Sequence, residues 1–174
     1  MVSTQTYTIR LATPEDIAAT LEMKLLAWRQ TYAAQRPESF FSNAQARQEV
    51  EADWWARGLA QGAELWIALD QDSNIVGVAG GGPVAEEDLG TGVGIELQVL
   101  YVLAEHYGSG LGTELLETVL TGRDAVLWVL EGNERAIAFY KKHGFVADGR
   151  NEALADDWAG LREICMVRKG ALRG

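Results

Sequence analysis

The chain has 174 residues, 48% of them hydrophobic and 23% charged, and a formal net charge of -10. This is an ordinary globular composition, expected to make a single domain over 1–174 with loose ends at 1–5 and 170–174. The acidity weighs against a nucleic-acid partner; no apolar run reaches the ~18 residues of a membrane span; the N-terminus shows no basic segment leading into an apolar core; and one cysteine and two isolated histidines give neither a disulfide nor a zinc site, so a cytoplasmic, metal-free protein is expected.

In chain order, "YTIRLAT" (7–13) alternates as a strand does. Thr13 then caps a helix with Pro14 in its first turn. Ile17, Leu21, Leu25, Trp28 and Tyr32 recur at helical spacing up to Arg36-Pro37. Ser42 with Gln45 has the form of a capping box and predicts a second helix over about 43–60, with Val50 and Trp54 on one face. Strands follow at 63–71, 74–84 and 92–103, the last after the acidic loop Glu86-Glu87-Asp88. A helix over about 110–121, a strand over 124–130 and a helix over 133–143 stopped by Gly144 come next. "FVADG" begins a strand, and 163–169 is the last one. The predicted order is β-α-α-β-β-β-α-β-α-β-β, an α/β chain with a mixed, mostly antiparallel sheet and helices on its faces.

Gly108, Gly110 and Gly112 stand at alternate positions between a strand and a helix. The first N–H groups of a helix lack intrahelical partners and carry partial positive charge. Glycines clear the approach to them and permit positive φ. The loop is therefore predicted to bind a phosphate or pyrophosphate. It has no lysine for a nucleotide P-loop. A dinucleotide fingerprint would need a glycine where Thr113 stands, even though Glu131 lies where a ribose-binding acid would be.

Two segments, Tyr107-Gly108-Ser109-Gly110-Leu111-Gly112 and "NERAIAFYKKHGF" (133–145), resemble the two motifs of the GCN5-related N-acetyltransferase (GNAT) superfamily. The first fills the family's [QR]-x-x-G-x-[GA] loop, with Tyr107 in place of Gln or Arg. The second is close to the full N-x-x-A-x-x-[FL]-Y-x-x-x-G-F pattern. The resemblance implies the GNAT fold and acetyl-CoA as co-substrate. It further implies cradling of the donor by Tyr107, Gly108, Ser109, Gly110, Leu111, Gly112 and Thr113, with Leu100, Tyr101 and Val102 lining the pantetheine arm and Asn133 touching it.

Acetyl transfer to an amine needs a base, because an alkylammonium near pKa 10 is no nucleophile. It also needs a donor to the carbonyl oxygen, a proton for the thiolate, and proximity. Glu96 and Gln98 are polar residues inside an otherwise apolar strand, which points to a cleft above their face. Strand alternation puts Leu100 and Val102 with them, and Ile95, Leu97, Val99 and Tyr101 on the other face. The resemblance implies Glu96 as the base, acting through water, the Leu100 backbone N–H as the oxyanion donor, and Tyr140 as the acid near the thioester sulfur and among the donor's contacts. Tyr140 follows Asn133 by seven residues, two helical turns. Lys141 and Lys142, and less so Arg123, are candidates to neutralise phosphates, and Cys165 is read as core.

Trp28, Tyr32, Trp54 and Trp55 lie in the helical part where such enzymes build their acceptor pocket and are read as core, with one or two lining the pocket as the alternative; Glu86-Glu87-Asp88 is read as a solvated turn, with attraction of a cationic amine as the alternative. The expected partner is a small-molecule or peptide amine, and the expected assembly a monomer or homodimer. A non-catalytic acyl-CoA sensor and a transferase for another acyl group are the alternatives.

Overall fold

The computed structural model describes residues 5–170. Its strands are β1 (Thr8–Leu11), β2 (Leu65–Leu69), β3 (Ile75–Gly82), β4 (Ile95–Val102), β5 (Ala125–Leu130), β6 (Val146–Ala153) and β7 (Arg162–Arg168). Its helices are α1 (Ile17–Tyr32), α2 (Glu38–Ala46), α3 (Gln48–Ala60), α4 (Leu111–Leu120) and α5 (Glu134–Lys142). The strands follow the order β1-β2-β3-β4-β5-β7-β6. β1–β2, β2–β3, β5–β7 and β6–β7 are antiparallel, and β4–β5 is parallel.

Three helices stand where two were expected after β1. α1 stops at Tyr32, and Pro37, extended at φ -70 and ψ 161, opens α2. Pro at this boundary presets the entry to a helix as readily as it ends one. Ser42 is no cap: it lies inside α2, and its Oγ donates to the carbonyls of Glu38 and Ser39 at 3.1 and 3.3 Å. At Thr13 the expected start is a 3₁₀ turn (Pro14–Asp16) leading into α1. There the Asp16 carboxylate accepts the Thr13 N–H at 2.8 Å and the Arg10 guanidinium at 2.7 and 3.0 Å.

The described chain divides into two compact units. The first comprises residues up to Gly80 and Val99–Val119. Its core joins Ile17, Leu21, Met23 and Ala27 of α1, Trp55 of α3, and Leu65, Ile67 and Val78 of the sheet, with Val99, Tyr101 and Leu103 packed against it. α3 buries its Ala52–Trp55–Ala56–Leu59 stripe, and Val50 and Trp54, which share another face, are 70% and 65% exposed. Adjacent tryptophans at 54 and 55 give the periodicity two faces to choose from, and the alanines beside Trp55 allow the closer helix contact.

α4 covers the other side of these strands. A Cβ at Gly77 would meet Leu115 at 2.8 Å, so the missing side chain is what lets α4 approach β3. Gln30 of α1 accepts the Ala104 N–H at 2.8 Å, tying the end of β4 to the helices.

The second unit comprises Gly81–Gln98 and the chain from Leu120 on. The parallel register of β4 with β5 takes in Ile95–Leu97 against Ala125–Leu127. β5 pairs with β7 along its full length, and β7 with β6 across a register shift between Ala147 and Asn151. One sheet face buries Val93, Val126 and Cys165 beside Val84, Trp128 and Val167. Cys165 is core as expected, its thiol pushed up to about 12 by burial and so held as an unreactive thiol.

Candidate active site

In the first unit, the end of β4 runs through a 3₁₀ turn (Ala104–His106) into the glycine loop. Gly108 and Gly110 adopt φ of 73 and 90, and a Cβ at either would meet no described atom within 4 Å. Both glycines are thus required by backbone conformation, and the space beside them is open. Ser109 folds the loop back: its Oγ donates to the His106 carbonyl at 2.6 Å and accepts the Leu111 N–H at 3.3 Å. The helical ladder begins with the Glu114 N–H on the Gly110 carbonyl at 3.0 Å, so the N–H groups of 111–113 lie ahead of it. This cradle fits a diphosphate. His106 Nδ1 and the Tyr7 hydroxyl lie 3.0 Å apart and brace the loop's base.

Leu100, Tyr101 and Val102 lie on β4 in the same unit. The Tyr101 ring packs edge-on to Trp28, with centroids 6.3 Å apart, and burial pushes its phenol pKa up. Its side chain belongs to the core against α1.

In the second unit, Glu96 pairs in register with Val126, Val126 with Val167, and Leu130 with Glu163. Glu96, Trp128 and Glu163 therefore share one sheet face. Burial raises the Glu96 pKa, and the charges of Asp88, Glu163 and Glu87 raise it further. Glu163 is raised by burial and by Glu152, its cross-strand partner. Among the described residues, Glu96 makes no ion pair, so nothing offsets these effects.

In the acidic loop Glu86 and Glu87 are exposed, as a solvated turn would have them, but Asp88 is not. Asp88 is 3% exposed, and the Arg150 guanidinium donates to it at 2.9 Å. Arg150 also holds Asp148 at 2.7 Å, approaches Glu87 at 3.9 Å and lies 5.8 Å from the Trp128 ring. Gly149, at φ 94 within the register shift of β6, bends the strand where Arg150 makes these contacts. Asp88 is thus a buried, paired charge; in sequence, Arg150 looks like any exposed arginine.

Asn133 caps α5, its Oδ1 accepting the Ala136 N–H at 3.2 Å. Tyr140 is 9% exposed, with its ring 5.4 Å from Phe139 and 5.7 Å from Phe145. Phe145 lies under the Arg168 guanidinium, and Arg168 is the register partner of Ala125. Strand alternation therefore sets the Tyr140 cluster and Glu96 on opposite faces of the sheet. Lys141 and Lys142 are exposed at the end of α5.

Solved structures share this architecture. An alignment with PaiA N-acetyltransferase from Thermoplasma acidophilum in complex with coenzyme A gives a TM-score of 0.68 at 21% identity, covering 94% of this chain and 99% of that one. Ribosomal-protein-alanine N-acetyltransferase from Brucella melitensis gives 0.69 at 23% identity, covering 92% and 98%. Residues 25–145 match the Acetyltransferase (GNAT) family, and the chain belongs to that family. It is an N-acetyltransferase of the acyltransferase class. Among curated relatives, it is 28% identical to a probable N-acetyltransferase, Rv2775, of Mycobacterium tuberculosis, over 82% of this chain and 81% of the relative. It is 33% identical to the peptidyl-lysine N-acetyltransferase YjaB of Salmonella typhimurium, over 74% and 79%.

Proposed function

We propose that the protein transfers an acetyl group from acetyl-CoA to a primary amine by direct attack, with Glu96 as the base on one face of the sheet, Tyr140 as the acid on the other, and the thioester between them where the β4–β5 pairing ends at Leu97. The observation that carries this reading is the state of Glu96: half-buried among carboxylates, without a cation, and with its pKa raised. A carboxylate of raised basicity is a better proton acceptor near neutrality than an ordinary one. It draws the proton from the incoming ammonium through a water molecule. The amine nitrogen then bonds to the acetyl carbon, the C–S bond breaks, the Tyr140 hydroxyl gives its proton to the departing sulfur, and the nitrogen's second proton returns to the Tyr140 phenolate, leaving a neutral amide, a thiol and a restored phenol. The Leu100 N–H is the donor toward the carbonyl oxygen as it gains charge.

The backbone of the glycine loop, from Tyr107 to Thr113, would hold the donor's diphosphate, and the β4 backbone at Leu100–Val102 its arm, with Asn133 beside it. The thioester supplies the activated acetyl group. Family membership, the CoA held by a structural neighbour and the open cradle at Gly108 and Gly110 support acetyl-CoA in this role. Relatives named for peptidyl-lysine support an alkylamine acceptor, in a small molecule or a peptide.

The test is CoA release from acetyl-CoA against a panel of alkylamines, lysine peptides and aminoglycosides. Turnover with at least one amine is expected. Tight acetyl-CoA binding with no acceptor turned over would favour a non-catalytic sensor, and turnover only with a different acyl-CoA would correct the donor.

A further inference from the structure

α1 and α3 face each other with the same pattern, a charged residue followed four positions later by tryptophan: Lys24 and Trp28 on one, Glu51 and Trp55 on the other. The Lys24 ammonium lies 4.5 Å from the Trp28 ring centroid and 5.5 Å from that of Trp55. It forms an ion pair with Glu51, and the two side chains are 12% and 29% exposed. Tyr101 closes the group through its edge contact with Trp28. Aromatic faces and one carboxylate around a nitrogen cation are the chemistry of alkylammonium recognition.

As a structural plug this arrangement is costly. Removing an ion pair from water costs more than burying an apolar side chain of similar length, and a leucine or methionine would tie α1 to α3 without that cost. Through Trp28 the group also touches Tyr101, which follows Leu100, the residue given the thioester carbonyl above. Lysine has a flexible four-carbon stem and can withdraw its ammonium to solvent without moving α1.

We infer that this box is a subsite for a second alkylammonium group of the acceptor, that Lys24 fills it from within the chain, and that an acceptor with two amino groups displaces Lys24 while its other amine is acetylated. The acceptor class is then an α,ω-diamine, or a peptide with two neighbouring amines. This inference rests on the acetyl-transfer reading for the role of the box, but the box itself is testable without turnover.

The first test is thermal unfolding of Lys24→Ala in n-butylammonium chloride against sodium chloride of equal ionic strength. A saturable rise in Tm of about 3 °C or more is expected, with a smaller rise in wild type, where Lys24 competes for the box, and none in Lys24→Met, whose side chain refills it. A folded Lys24→Ala that responds equally to both salts overturns the subsite. The second test keeps the natural box: kcat/KM for a diamine against the monoamine of equal chain length. About tenfold preference for the diamine is expected, lost in Glu51→Gln. Equal rates overturn the acceptor role, and this arm decides the matter if Lys24→Ala does not fold. Butylammonium binding to Lys24→Ala with no amine acetylated by wild type would leave the subsite standing and remove the acetyl-transfer reading.

Discussion

Glu51 and Glu96 are both half-buried glutamates, and their neighbours have opposite sign. Glu51, in the first unit, holds a lysine ammonium between two indole rings. Glu96, in the second, is surrounded by Asp88, Glu163 and Glu87, and its pKa rises. The second unit contains its own contrast, because Asp88 is more deeply buried than Glu96 and yet has Arg150 paired with one of its oxygens. The difference teaches that acidity alone marks no site in a chain of net charge -10. The position of the cations does: a compensated carboxylate fixes a neighbour in place, and an uncompensated one keeps a proton affinity that chemistry can use.

Substitutions can break this comparison. The largest expected effect is at Tyr140. Tyr140→Phe keeps the ring contacts with Phe139 and Phe145 and removes only the hydroxyl, so kcat should fall about 10²-fold with acetyl-CoA affinity little changed. A variant retaining most of its turnover would return Tyr140 to a packing role. Next is the compensated acid. Arg150→Met strands the buried Asp88 charge and should cost about 2 kcal/mol in denaturant unfolding, below the fully buried range because Arg150 is a third exposed. Arg150→Met/Asp88→Asn should recover most of that loss, and failure to recover would mean that Arg150 acts through packing on Trp128.

A smaller effect is expected in the glycine loop. Gly110→Val places a branched side chain at φ 90 in the open cradle, and calorimetry should show acetyl-CoA affinity at least about tenfold weaker. Unchanged affinity in a folded variant would remove the phosphate reading. The smallest effect concerns Asp16, which the Arg10 guanidinium holds down to about 2. A depressed carboxylate pKa stabilises above the unfolded value and is lost as pH falls through the folded one. Wild type should therefore lose a Tm increment of about 2–4 °C between about pH 4 and pH 2, an increment missing from Asp16→Asn. Parallel curves would show that the pair contributes nothing.

Much of this was legible in the sequence. The glycine loop announces its backbone, because only positive φ at Gly108 and Gly110 and an unobstructed helix start require glycines at that spacing. The strands and α5 lie within a few residues of their predicted limits, since alternation and capping are local. What sequence could not give depends on distant partners. Trp54 and Trp55 are equally apolar, and only the helix contact chooses between them. Asp88 reads as a solvated turn because its cation comes 62 residues later. Lys24 reads as an exposed helix lysine until α3 brings Glu51 and Trp55 to it.

Glu96, the proposed base, is an uncompensated carboxylate. The decisive measurement is the pH dependence of kcat/KM for wild type and Glu96→Gln with one good amine acceptor. In wild type the rate should rise with pH through an ionisation above the ordinary glutamate range, because the neighbouring carboxylates and burial hold the proton on. Glu96→Gln should lose that rise and fall about 10²-fold behind near neutrality, with the deficit shrinking at high pH as more of the amine is free base. A Glu96→Gln profile running parallel to wild type at every pH would contradict the account.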